Sequence, residues 1–264
     1  MADARGVLGR CSVSSTWGDL GPRVRSAIML SAVGIAAIWI GGLVFGLLVS
    51  AAVGVVVWEM TRMLAPDADS SLPLGFGILS GLVVLAAGFV GPIYALVMLA
   101  ATVAGLYTRL PVESEKRRFA IYLGWVLLAG YGLTALRVSG GLWDVVWLVL
   151  VVVATDIAGY FAGRILGGPK FWPAVSPKKT WSGTMAGWAA AALVGMILGG
   201  PGMALLSALL SFASQMGDAA ESALKRHTGI KDSSDLIPGH GGVFDRFDAL
   251  LGAALVMTLI GFFS

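Results

Sequence analysis

The sequence predicts an all-α, polytopic integral membrane protein with about nine transmembrane helices and a cytoplasmic N-terminus. Two observations predict the class: 57% of the 264 residues are hydrophobic and only 12% are charged, whereas a soluble domain is roughly a quarter charged. A third observation, the placement of the basic residues, predicts the orientation. No internal repeat or linker interrupts the apolar pattern, so a single membrane domain is expected.

Nine apolar segments approach or reach the ~20 helical residues that cross a hydrocarbon core of about 30 Å. Glycine and proline pairs at 91–92 and 201–202 mark turns between them. The first boundary is the weakest, because residues 26–58 carry no charge and only Gly41 and Gly42 interrupt them. The predicted spans are 26–40, 42–63, 73–90, 92–109, 119–136, 142–163, 182–199, 201–220 and 248–263.

The basic residues predict which side of the membrane each connection faces. With the N-terminus inside, 17 of the 18 Lys and Arg residues fall in cytoplasmic segments, and only Arg137 falls outside. Cytoplasmic loops are enriched in basic residues, so this asymmetry favours an odd number of spans. We therefore expect a cytoplasmic N-terminal segment at 1–25 and one transmembrane domain at 26–264. Its two most polar loops, 164–181 and 221–247, are expected on the same cytoplasmic side.

Several other polar residues receive no role in chemistry. Cys11 is the only cysteine, which excludes an internal disulfide bond and a cysteine-based zinc site. Glu59 and Arg62, near the end of the second predicted span, are interpreted as interface residues. The basic cluster at 116–118 is interpreted as a topology signal that contacts anionic lipid.

The longest polar stretch, residues 214–248, holds six of the fifteen acidic residues and both histidines. Carboxylates beside cations, with glycines between them, are typical of sites that handle metal ions and phosphates. Asp218, Ser222 and Lys225 are spaced i, i+4 and i+7, so they share one face of a helix. Glu221 lies beside that face.

The second half of this stretch combines a glycine-rich turn with two more acids. His240 precedes Gly241 and Gly242, where the backbone can approach a ligand closely. Asp245 and Asp248 follow at the start of the last predicted span. The helix dipole favours acids in a first turn, so capping is an alternative explanation of that pair. Capping alone does not explain why lysine, arginine and histidine are gathered beside them.

A second polar constellation precedes the seventh predicted span. Asp156 lies within an apolar run, where an ionisable group is costly and is by default a functional candidate. The alternative is that Asp156 is a structural partner of Arg164. The hexapeptide SPKKTW at 176–181 carries Lys178 and Lys179, which are either anchors on the positive side or phosphate ligands. Because prolines constrain this loop, we favour phosphate binding.

Both constellations resemble motifs of the bacterial phosphatidate cytidylyltransferases, the CDP-diacylglycerol synthases. Asp156, Gly163, Arg164 and the SPKKTW segment look like one cytoplasmic motif of that family. One departure is Ser182, where many members carry glutamate. The family's C-terminal signature is resembled by Ser222-x2-Lys225-Arg226-x4-Lys231-Asp232-x5-Pro238-x-His240-Gly241-Gly242-x2-Asp245-Arg246-x-Asp248.

The resemblance implies the reaction of CTP with phosphatidate to give CDP-diacylglycerol and pyrophosphate, with Mg²⁺ required and a second metal ion left open. It also implies the bacterial cytoplasmic (inner) membrane, an active site facing the cytoplasm, and phospholipid biosynthesis. The metal ligands implied are Asp218 and Asp245, with Asp248 and Glu221 as helpers. The catalytic candidates are Asp218, Asp245, Lys225, Arg226 and His240. The substrate-binding candidates are Asp156, Arg164, Lys178, Lys179, Ser222, Lys231 and Arg246.

Two other functions fit part of the pattern. A CTP-dependent kinase or nucleotidyltransferase acting on another membrane lipid would use similar phosphate chemistry. A transporter with Asp156 as its ion-coupling residue is disfavoured, because the charges gather in cytoplasmic loops and not along a midplane path. The expected partners are CTP, phosphatidate and the lipid bilayer, with no nucleic acid, and a homodimer is left open.

Overall fold

The computed structural model describes residues 20–237 and 241–263 and is 82% helical. A 3-10 turn at Glu113–Glu115 precedes the fifth helix, and a π-helical turn at Leu136–Gly140 follows it. Residues 1–19 of the expected N-terminal segment lie outside the described residues. The helices are α1 (Leu20–Ile40), α2 (Gly42–Leu64), α3 (Ser71–Ala87), α4 (Pro92–Arg109), α5 (Lys116–Ala135), α6 (Leu142–Ile165), α7 (Trp181–Thr228) and α8 (Phe244–Phe263).

Five stretches of the described chain are long and apolar enough to cross a membrane: α2, α4, α5 with its flanking turns, α6 and α7. The apolar helices Val24–Ile40 and Ser71–Ala87 are shorter. Large apolar side chains such as Ile93, Trp143 and Leu205 lie exposed on the outside of the bundle. Lipid solvates such a surface where water would not, which fits a multi-pass membrane protein.

Helix α7 consists of two antiparallel segments. Gly200 has φ 80° and ψ −161°, a conformation that favours glycine, and it breaks the helix. The chain then reverses, because the backbone of Gly195 lies against Ser207 and the Gln215 amide donates to the Thr184 carbonyl at 3.3 Å. The turn signal at 201–202 is therefore confirmed, and both ends of α7 lie at the same end of the bundle.

The connection between α6 and α7 is not a plain loop. Strands β1 (Lys170–Trp172) and β2 (Ser176–Thr180) form an antiparallel ribbon in which Lys170 pairs with Thr180. The rings of Phe171 and Trp181, 4.8 Å apart, pack this ribbon against the start of α7. The all-α class agrees with a structure that is 82% helical. The predicted loop at 164–181 is corrected, because α6 continues to Ile165 and a short hairpin follows.

The predicted loop at 221–247 is also shorter in the structure. Helix α7 continues through residue 228, since the segment is rich in Ala, Glu, Leu, Lys and Arg, which are good helix formers. It ends at Gly229, whose φ of 75° gives the left-handed C-cap that terminates many helices. The helical face expected for Asp218, Ser222 and Lys225 is therefore present, but the predicted boundary of the loop at 221 is several residues too early.

The core lies where α2, α5, α6 and α8 meet, and small residues permit the closest crossings. At the α2–α3 crossing, a Cβ on Gly77 would lie 2.5 Å from the Gly54 carbonyl oxygen. Small residues let helix backbones approach in lipid, where packing replaces the hydrophobic driving force. The fully buried core side chains include Val57, Met60, Phe119, Leu123, Leu127, Leu148 and Leu210.

Candidate functional site

A polar site lies at the end of the bundle where α6, β2, α7 and α8 converge. Helices α7 and α8 approach closely there, because a Cβ on Gly217 would lie 2.9 Å from the Gly252 Cα. Asp218 follows the first glycine, and Asp248 lies one turn before the second. The glycine contact thus brings these two predicted acids together across the helix pair.

Three carboxylates form the centre of the site. Asp218, Glu221 and Asp248 each place one oxygen within 4.8 Å of the other two. Glu221 and Asp248 are buried, and Asp218 is partly exposed. Glu221 Oε1 lies 2.7 Å from the Lys225 ammonium, an ion-pair distance. This donor set fits a hard divalent cation such as Mg²⁺, because clustered carboxylate oxygens repel one another and a cation offsets that repulsion.

Asp245 lies beside this carboxylate triad (Asp218, Glu221 and Asp248) and is held by other groups. Its Oδ1 is 2.5 Å from Lys225 Nζ, while Oδ2 accepts the backbone N–H groups of Ser233 and Gly242. Burial acts to raise the pKa of this carboxyl, in the polar first turn of α8, but the hydrogen bonds lower it to about 2. The structure therefore groups Asp218 with Glu221 and Asp248, and places the Asp245 side chain on Lys225.

Lys179 of the ribbon contacts α7. Such a contact is expected if the polar loops 164–181 and 221–247 lie on the same side of the membrane. Lys179 Nζ lies 2.5 Å from Asp218 Oδ2 and 3.4 Å from the Gln215 carbonyl oxygen. Ser222 donates to Asp218 Oδ1 at 3.4 Å. Asp156 interacts electrostatically with Asp218 and Lys179. Lys179 is 36 positions before Gln215, and Asp156 is 62 positions before Asp218. The two polar constellations of the sequence thus share one site.

The alternative pairing of Asp156 with Arg164 is not the one observed. Arg164 donates to the Tyr160 hydroxyl at 2.7 Å and lies over that ring. Ser182 contacts the Thr180 hydroxyl and donates to the Gly167 carbonyl. It therefore ties the ribbon to the start of α7.

The remaining predicted cations with described side chains, apart from Arg164, are exposed residues near the sequence segments that form the site. His240 lies outside the described residues, although Gly241 beside it has the positive φ, 82°, that its predicted turn requires. Ile237 N–H donates to the Gly241 carbonyl at 2.9 Å and closes that turn. The exposed side chains on the surrounding elements are Lys178, Arg226, Lys231 and Arg246.

Glu59 adjoins the candidate site through Ser233, a contact that the sequence did not indicate. The interpretation as an interface residue is wrong, because Glu59 is fully buried and accepts hydrogen bonds from the segment that precedes α8. The signal was its position directly after residues 26–58, which carry no charge. A buried carboxylate at the end of an apolar helix needs donors, and Ser233 and Ser234 supply two of them.

The fold and the site together define a class: a polytopic membrane protein with carboxylates and lysines, suited to metal ions and phosphates, at one end of an apolar helix bundle. The chain belongs to the Cytidylyltransferase family, whose model matches residues 22–263. This confirms the resemblance seen in its motifs.

Relatives of this chain carry one name. The phosphatidate cytidylyltransferase of Brucella suis is 38% identical in an alignment of 264 positions, gaps included, which covers 92% of this chain and 93% of that protein. Its counterpart from Helicobacter pylori is 42% identical over 126 residues, 45% of this chain and 47% of its own. That of Staphylococcus haemolyticus is 36% identical over 130 residues, 46% and 50% of the two chains.

Proposed function

We propose that this chain is a phosphatidate cytidylyltransferase, which transfers the cytidylyl group of CTP to phosphatidate and releases pyrophosphate and CDP-diacylglycerol. The observation that carries the proposal is the 38% identity, along 92% of the chain, to a protein of that name. The site agrees with it chemically, since two highly charged anions must approach and the protein supplies clustered carboxylates and lysines.

Asp218, Glu221 and Asp248 are the proposed Mg²⁺ ligands. Their clustered oxygens, which lie within 4.8 Å of one another, support this assignment. When bound, Mg²⁺ offsets negative charge on the phosphates and on the leaving pyrophosphate. Asp245 is the candidate ligand for a second ion, because it adjoins the triad through Lys225.

The protein's own groups position and neutralise the substrates. A phosphatidate oxygen forms the new bond to the α-phosphorus of CTP as the bond to the β-phosphate oxygen breaks. That phosphate is already anionic near pH 7, so neither a protein nucleophile nor a strong base is required. Lys179 contacts Asp218 and Lys225 contacts Glu221, so both lysines can offset the anionic charge. The proposed ligands of the triphosphate and the lipid phosphate are Arg164, Lys178, Arg226, Lys231, His240 and Arg246.

The proposed topology is nine spans with the site facing the cytoplasm, where CTP is present. The sequence asymmetry of basic residues supports it, and the break at Gly200 divides α7 into two spans. Arg137, the exception, has a separate structural reason, since it donates to the carbonyls of Ile38 and Trp39 at the end of α1. With Cys11 replaced by Ser, single cysteines at Lys231 and Ser139 should react with a membrane-impermeant maleimide from opposite sides.

Position-specific labelling of CTP distinguishes this function from a lipid kinase. Purified protein in detergent receives phosphatidate, Mg²⁺ and CTP labelled in either its α- or its γ-phosphate. Cytidylyl transfer places the α label in the lipid and the γ label in pyrophosphate, whereas a CTP-dependent kinase places the γ label in the lipid. Phosphatidate is compared with a prenol and diacylglycerol as acceptor. A γ-labelled lipid, or no lipid labelled from either position, refutes the proposal.

A further inference from the structure

The buried carboxylate of Glu59 joins α2 to the segment that leads into α8. Its exposure is 0%, and it accepts four hydrogen bonds from neutral donors. The hydroxyls of Ser233 and Ser234 donate at 3.1 and 2.5 Å. The backbone N–H groups of Val243 and Phe244 donate at 2.9 and 2.7 Å. Four donors are what a buried carboxylate needs when no cation compensates it.

Two of these donors are the amides at the start of α8. The first N–H groups of a helix have no partner inside the helix, and a negative group at that position is favoured by the helix dipole. Glu59 therefore acts as a cap supplied by another helix, and it fixes where α8 begins. Phe244 is itself fully buried, with its ring 5.9 Å from that of Trp125.

Ser233 connects this cap to the site. Its hydroxyl lies 3.1 Å from Glu59 Oε2 and 2.8 Å from Asp245 Oδ2. A hydroxyl donates only one hydrogen bond, so it serves either Glu59 or Asp245 at a given moment. When it serves Glu59, the Ser233 backbone N–H still donates to Asp245 at 2.8 Å. Asp245 in turn holds Lys225, which contacts Glu221 of the triad.

Tight packing around Gly242 restricts how Glu59, Ser233 and Asp245 can be arranged. A Cβ on Gly242 would overlap both the Ser233 hydroxyl and the Glu59 carboxylate. The glycine is therefore required for the chain to pass between the two groups, and the Gly242 N–H donates to Asp245 at 2.9 Å. A displacement of the Glu59 side chain should therefore also displace Asp245, because Ser233 contacts both carboxylates and Gly242 packs tightly beside them.

We propose that Glu59 is a positioning residue, which holds Ser233, Ser234 and the start of α8 against α2 so that Asp245 keeps Lys225 beside the carboxylate triad. This inference rests on the proposed function for its activity readout. Glu59 acts through Ser233 and Asp245, so its loss should change the geometry of the triad's surroundings without removing a ligand.

Two substitutions test the connection, and one serves as a matched control. Glu59→Gln keeps the size of the side chain but turns an accepting oxygen into a donor that faces other donors. Ser233→Ala removes the hydroxyl that contacts both carboxylates, whereas Ser234→Ala removes a donor to Glu59 alone. We expect kcat to fall roughly 10–100-fold in the first two variants and less than about threefold in Ser234→Ala.

Two measurements without turnover accompany the kinetics. Hydrogen exchange of the Val243 and Phe244 amides should accelerate in Glu59→Gln and stay slow in Ser234→Ala, with the start of α6 as internal reference. The Mg²⁺ concentration that gives half of the maximal rise in Tm should increase roughly 10-fold in Glu59→Gln and Ser233→Ala. Ser233→Ala keeps the test informative if Glu59→Gln does not fold.

The outcomes separate this inference from the proposed function. If both variants keep the wild-type kcat and Mg²⁺ midpoint while exchange accelerates, Glu59 has only a structural role and the inference is overturned. Rapid exchange of the Val243 and Phe244 amides in the wild-type protein overturns it as well. If the wild-type protein makes no CDP-diacylglycerol but the Mg²⁺ midpoint shifts as expected, the inference is supported and the proposed function fails.

Discussion

The two ends of the helix bundle treat charge in opposite ways. At the site end, defined by Asp218, Glu221, Asp245 and Asp248, carboxylates outnumber the lysines that contact them. At the far end, Arg137 donates to the carbonyls of α1. Ionisable groups are costly to bury, and Arg137 is accordingly hydrogen-bonded to nearby carbonyls. Excess negative charge is kept at the site end, where a bound ion would balance it.

The largest effect is expected from the triad itself. Asp218→Asn and Asp248→Asn should each lower cytidylyl transfer by more than about 100-fold, because each removes a proposed ligand of Mg²⁺. The assay is CDP-diacylglycerol formation by purified protein, with folding checked by size-exclusion chromatography. Asp144→Asn, in the first turn of α6 at the far end, is the control that should keep the wild-type rate. A near-normal rate in either triad variant would show that the ligand assignment is wrong.

A smaller loss is expected at Lys225. Lys225→Met removes the cation between Glu221 and Asp245 and leaves two carboxylates facing each other. We expect activity to fall roughly 10–100-fold and the Tm to decrease, because a partly buried ion pair loses one partner. The exposed Arg226→Met variant, one position further along α7, should lower the Tm less. Equal changes in Tm would contradict the structural role given to Lys225.

The ribbon offers a matched pair of lysines. Lys179→Met should raise the KM for CTP about 10-fold, because Lys179 contacts Asp218 and is proposed to neutralise substrate phosphate. Lys170→Met changes an exposed lysine on the adjacent strand and should alter the KM less than about twofold. Steady-state kinetics at saturating phosphatidate measures both. If the two variants have the same KM for CTP, Lys179 does not bind substrate phosphate and serves only as a basic residue that sets the topology.

The smallest effect on activity is expected at the far end. Arg137→Ala removes the donors that cap α1, so the free energy of unfolding should decrease by about 1–2 kcal/mol while the rate per folded molecule stays unchanged. Thermal unfolding in detergent, measured alongside the turnover assay, separates the two quantities. A loss of specific activity here would break the contrast between the two ends.

Local patterns predicted much of this molecule because local physics determines it. The break near Pro201 follows from turn chemistry. The stacking of Asp218, Ser222 and Lys225 on one face follows from the helical period, and Ser222 does contact Asp218. The Glu221–Lys225 ion pair is likewise an i, i+4 contact.

What the sequence did not reveal depends on contacts between distant segments. Glu59 meets Ser233 across 174 positions, and nothing in the neighbourhood of either residue indicates the other. Asp245 was assigned to metal from its place in a motif, but its observed contacts depend on how the turn before α8 folds back. The ribbon was not predicted because SPKKTW has the composition of a polar loop. Its strand depends on the pairing of Thr180 with Lys170.

The long separation between Glu59 and its donors has a consequence for how the protein is made. Helix α2 is synthesised early, whereas the N–H groups of Val243 and Phe244 emerge about 185 residues later. Until those groups are made, the Glu59 carboxylate lacks two of the donors that its buried position requires. The last helix supplies both these donors and Asp248 of the triad, so the same late segment completes the cap on Glu59 and the carboxylate cluster.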